Sequence, residues 1–71
     1  MDYVRFQKEI LGFIGESGIS SKVFFDFDED KNRFEARIPE HGLFITGRPA
    51  GLSLTVQFGS GHQAMIPISA A

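Results

Sequence analysis

The run FFDFDEDKNRFEARI, residues 24–38, decides the fold because it admits two incompatible readings. Asp26, Asp28, Asp30 and Asn32 alternate and Glu35 follows, which is close to the ligand spacing of a calcium loop. Such a loop needs glycine at its sixth position and a bidentate glutamate at its twelfth. Counted from Asp26, those positions hold Lys31 and Arg37. A long cation replaces the turn glycine, and a second cation replaces the last ligand. The second reading has no such conflict. Val23, Phe25 and Phe27 alternate with polar or exposed positions, as do Phe34, Ala36 and Ile38. That twofold period predicts two half-buried strands joined by the turn EDKN.

The same period continues to the end of the chain. Leu43 and Ile45 are followed by Leu52, Leu54, Val56 and Phe58, then by Ala64, Ile66 and Ile68. The runs are separated by PEHG, RPAG and GSG, whose residue types favour tight turns. Gaps this short join antiparallel neighbours, so the expectation is a five-stranded meander in the order 1-2-3-4-5. Pro67 suits an edge strand, and Lys22, Asp26 and Asp28 would protect the opposite edge.

Before Gly18 the period is helical. Tyr3, Phe6, Ile10, Phe13 and Ile14 form one stripe, widened by Val4 and Leu11, while Arg5, Lys8, Glu9 and Gly12 face away. The spacing predicts an amphipathic helix over residues 2–15, with Asp2 as N-cap and Gly15 or Gly18 ending it. The fold class is therefore α+β: one N-terminal helix packed on the apolar face of the meander. A chain of 71 residues makes one small domain, residues 1–71. Without cysteine it has neither disulfides nor thiolate metal sites.

Requiring every apolar set to face one side fixes an expected register. Phe27 pairs with Phe34, Phe25 with Ala36, Val23 with Ile38, Ile38 with Leu43 and Ala36 with Ile45. Ile45 then pairs with Leu54 and Leu43 with Val56, and the last hairpin sets Val56 against Ala64, Leu54 against Ile66 and Leu52 against Ile68. The opposite face would carry Phe24, Arg37, Phe44, Thr55 and Met65 in one row, with Asp26, Glu35, Thr46, Ser53 and Pro67 in the next. Asp28, Arg33 and Arg48 would share a third. Aromatic residues, methionine and arginine are enriched in interface cores. Phe24, Arg37, Phe44 and Met65, with Arg33 and Arg48 nearby, are accordingly the candidate partner-binding residues.

Chemistry is weakly represented. His41 and His62 lie in or beside turns, FGSGH lacks the spacing of a nucleophile elbow, and no helix follows it to hold phosphate. Asp26 and Glu35 would be neighbouring carboxylates without a histidine beside them. No catalytic residue, metal ligand or cofactor is expected. The formal net charge of −2 opposes nucleic-acid binding driven by phosphate neutralisation. No segment approaches the roughly 20 apolar residues of a membrane span, and the N-terminal run MDYVRFQKEI has charges where a signal peptide is apolar. The expectation is a small cytoplasmic, non-catalytic protein-interaction module, with another protein or a second copy as partner. A homodimer is favoured, because one helix about 10 Å across cannot cover a sheet roughly 19 Å wide. Single-stranded nucleic acid on the aromatic and arginine face is the alternative, followed by an apolar ligand held between helix and sheet.

Overall fold

The computed structural model describes residues 1–68. Helix α1 covers Tyr3–Glu16, and the strands are β1 (Phe24–Asp28), β2 (Arg33–Ile38), β3 (Leu43–Gly47), β4 (Ser53–Phe58) and β5 (Gln63–Pro67). All four strand pairs are antiparallel, in the order β1-β2-β3-β4-β5. The expected helix-on-meander architecture is the observed one.

Both helix ends use the chemistry the sequence offers. Asp2 Oδ1 accepts the Arg5 N–H at 2.7 Å, satisfying a first-turn donor. At the other end Gly18 takes the left-handed conformation at φ 70°. Its N–H donates to Gly15 O, and the Ile19 N–H reaches back to Ile14 O at 3.1 Å. That pair of bonds is a Schellman cap, completed as Ile19 and Ile14 join the same core.

Phe6, Ile10 and Ile14 from α1 pack onto Phe34, Ala36, Ile38, Leu43, Ile45, Leu54 and Val56. The Phe6 ring lies 5.5 Å from Phe34 and 6.3 Å, edge-on, from Phe25. Tyr3 extends this aromatic group to Phe27 at 6.2 Å and Phe34 at 5.5 Å. Phe13 and Phe25 are only half-buried. The helix therefore covers the inner face mainly over β2 to β4 and leaves the edge strands β1 and β5 less covered, with Phe27 on β1 exposed. Ala64 is exposed, and Ile66 and Ile68 are half-buried.

The register agrees with expectation for β1–β2, β2–β3 and β4–β5, and differs for β3–β4. Ile45 stands opposite Val56 and Leu43 opposite Phe58, while Leu54 faces Gly47. β4 is thus displaced by two residues from the expected pairing of Ile45 with Leu54. A two-residue slip keeps every side chain on its own face, so hydrophobic alternation does not distinguish the alternatives. The turn at Arg48 is closed by the Gly51 N–H donating to Arg48 O at 2.8 Å. Leu52 precedes β4, accepts the Ile68 N–H at 2.9 Å as its expected pairing with Ile68 requires, and is 76 % exposed.

The two sheet edges differ. On β1, the Asp26 carboxylate accepts the Phe27 N–H at 2.9 Å, occupying an edge-strand donor. β5 carries no charged side chain and ends at Pro67. Among the described residues, no helix is long and apolar enough to cross a membrane.

Candidate functional site

The outward face of the sheet is organised by alternation in β2. Arg33, Glu35 and Arg37 are two residues apart, so all three project to the same side. Glu35 is only 5 % exposed despite facing away from the helix. Arg33 Nε donates to Glu35 Oε2 at 2.7 Å, and Arg37 Nη2 approaches Oε1 at 3.7 Å. The two guanidinium carbons lie 5.7 Å (Arg33) and 5.3 Å (Arg37) from the centre of the Phe44 ring. Glu35 orients the arginines from one side, and the aromatic ring on β3 supports them from the other.

The true register redraws the expected band. Phe24, Arg37, Phe44, Gln57 and Gln63 form one row across the sheet. Asp26, Glu35, Thr46, Thr55 and Met65 form the next. Met65 still faces Thr55, but neither aligns with Phe44, which stands opposite Gln57. The placement of Met65 in the phenylalanine row is corrected by the two-residue displacement of β4. Met65, 71 % exposed, instead borders a recess of about 240 Å³ that also includes Arg48, Thr46 and Thr55. The six candidates therefore divide: Phe24, Arg33, Arg37 and Phe44 are together, and Met65 and Arg48 form a separate group.

Beside Arg37 is a second recess, about 330 Å³, lined by Arg37, Pro39, Gly42, Leu43 and Phe44. Its walls apart from Arg37 are apolar or backbone. Pro39 starts the short 3₁₀ turn Pro39–His41, and Gly42 ends it in the left-handed region at φ 61°. Pro39 is exposed and lines the recess. Sequence reasoning placed this segment as turn chemistry and missed its contribution to a concave surface. The Arg-x-Glu-x-Arg alternation was a visible sign of the ionic cluster, but the burial of Glu35 was not readable from it.

Another polar group also escaped the sequence reading. Ser21 Oγ donates to Glu40 Oε2 at 2.8 Å, and His41 Nε2 lies 3.0 Å from Ser21 Oγ. A serine hydroxyl has one proton, so the imidazole acts as donor to Oγ here. A nucleophile–base pair needs the opposite polarity. This exposed group ties the segment before β1 to the Pro39–His41 turn. Among the described residues, no cluster of three or more His, Cys, Asp or Glu is arranged to hold a metal ion. Asp26 and Glu35 are cross-strand neighbours, as expected, but Glu35 is engaged by arginine.

Fold and surface together define a small α+β domain of one helix on an antiparallel meander, bearing an arginine–aromatic cluster on the helix-free face. No family model, curated protein or solved structure matches the chain.

Proposed function

We propose that this chain is a small, cytoplasmic, non-catalytic protein-interaction module that docks a protein partner on the outer face of its sheet. The observation that carries this reading is the row Phe24–Arg37–Phe44. Phe24 is 57 % exposed on the edge strand, Arg37 lies opposite it, and Phe44 supports the Arg37 guanidinium. Aromatic and arginine side chains preset beside a concavity are the residue types that concentrate interface energy. The partner is another protein or a second copy, and the thinly covered β5 end of the inner face makes a homodimer worth testing.

The alternatives have less support. A base-stacking platform needs open aromatic faces, yet Phe44 is overlaid by two guanidinium groups, and Asp26 and Asp28 lie on the same side of the sheet. An apolar ligand carrier needs an internal cavity. The recess of about 260 Å³ between helix and sheet has Lys8, Glu9 and Glu16 in its lining.

The test is Phe44→Ser. Its thermal unfolding should stay near that of the parent, because the helix packs on the opposite face. Self-association by light scattering, or capture of a partner, should weaken by about 2 kcal/mol or more. A stable variant with association unchanged removes the outer face from consideration. A large drop in melting temperature would instead assign Phe44 to the core.

A further inference from the structure

Resting on the outer-face reading, we propose that Arg37 and the adjoining recess bind an acidic peptide segment of another protein, in which a carboxylate side chain neighbours a large apolar one. Within β2 two guanidinium groups flank one carboxylate, and the β1 carboxylates Asp26 and Asp28 stand opposite Glu35 and Arg33, whereas Arg37 stands opposite Phe24. Arg33 is hydrogen-bonded to Glu35 at 2.7 Å, whereas Arg37 stands 3.7 Å away, beyond hydrogen-bond range. Arg37 thus makes only a long ion pair with Glu35, and its side chain is 64 % exposed. Its position over Phe44 holds the planar fork in place before any ligand arrives. An exposed guanidinium fork held this loosely by its own carboxylate can match a ligand carboxylate bidentately.

The recess supplies the second half of the recognition. Pro39, Leu43 and Phe44 line a shallow, open apolar depression beside Arg37. An aliphatic or aromatic side chain seated there would bring an adjacent carboxylate to Arg37. The acidic side chain of the turn, Glu40, hydrogen-bonds the Ser21 hydroxyl through Oε2. Asp26 and Asp28 lie on the neighbouring rungs and repel an acidic segment toward the turn end of β2 and β3.

The chain has its own acidic and aromatic run, FFDFD, but it cannot readily serve as the ligand of a second copy. That run is β1, paired along its length with β2, and Asp26 already accepts the Phe27 N–H. A separate protein with an accessible acidic–apolar segment is the occupant that fits.

The experiment is an NMR titration of the ¹⁵N-labelled protein with the capped peptide acetyl-Leu-Glu-Leu-amide, whose sole carboxylate is the glutamate side chain. The backbone amides of Arg37, Gly42 and Phe44 and the Arg37 Nε–H should shift together. The Leu-Gln-Leu counterpart, and the Glu peptide on Arg37→Gln, should bind at least about tenfold more weakly. Equal shifts with both peptides, shifts elsewhere, or no shifts overturn the proposal. Sodium acetate producing the same response at the same concentration would identify a simple anion site, and movement of these signals on dilution would identify a second copy. Either result also overturns it. Phe44→Ser separates the two levels: if the peptide fails while this variant still loses association, the outer face remains the docking surface and only the acidic ligand is wrong.

Discussion

Gly47 on β3 stands directly opposite Leu54 on β4, and a methyl group added to Gly47 would lie 3.1 Å from the Leu54 side chain and 3.0 Å from the Phe6 ring. The glycine is an inward position with no side chain of its own. Met1 and Phe6 from the helical segment fill the space from above, and Leu54 fills it from the neighbouring strand. The expected register set Ile45 against Leu54. The observed one lets the large Leu54 side chain use the gap at Gly47.

Gly47→Ala should therefore destabilise the domain by about 1–3 kcal/mol, because the Phe6 ring cannot retreat without disturbing its contacts with Phe34 and Phe25. Urea unfolding measures this. A variant as stable as the parent would mean that Met1 and Phe6 move aside at no cost.

Leu54→Ala removes the facing side chain from the same site, where it is 3 % exposed. The expected loss is about 2–5 kcal/mol, a large part of the total stability of so small a domain. Leu52→Ala, one strand step away on a residue 76 % exposed, should change stability by less than about 0.5 kcal/mol. Comparable losses at both positions in thermal melts would contradict the observed register.

Two glycines of the helical segment should respond in opposite directions to alanine. Gly12 lies inside α1 with no neighbouring atom within 4 Å of an added methyl, so Gly12→Ala should stabilise by about 0.5–1 kcal/mol. Gly18 is equally uncrowded but has φ +70°, so Gly18→Ala should cost about 1–2 kcal/mol. Circular-dichroism melts of both variants provide the check. Equal and small effects would show that the Schellman cap contributes little.

Glu35→Ala would leave Arg33 and Arg37 as adjacent like charges over Phe44. A cost of about 1–2 kcal/mol is expected, less than the roughly 3–5 kcal/mol for a fully buried pair, because Arg37 is largely in water. Glu35→Gln retains an acceptor for Arg33 Nε and should lose less. Denaturant midpoints in low and high salt would test this. If alanine and glutamine behave alike, the Arg33 hydrogen bond is not what holds the cluster.

The sequence by itself determined the class of each segment and the face of each side chain. Alternation from Phe24 onward requires strands, because a period of two cannot place one apolar stripe on a helix. Turn residues at 29–32, 39–42, 48–51 and 59–61 left gaps too short for anything but an antiparallel meander. Phe24, Arg37 and Phe44 were thereby correctly set side by side. What only the tertiary structure decided was which inward residue met which across β3 and β4. A shift of two residues leaves the alternation unchanged, so the choice falls to packing at Gly47, where side chains distant in sequence meet. Met65 left the Phe44 row for that reason. The burial of Glu35 was likewise a tertiary outcome: alternation put three charged residues on one face, but Phe44 on the next strand gave the arginines the surface over which they close.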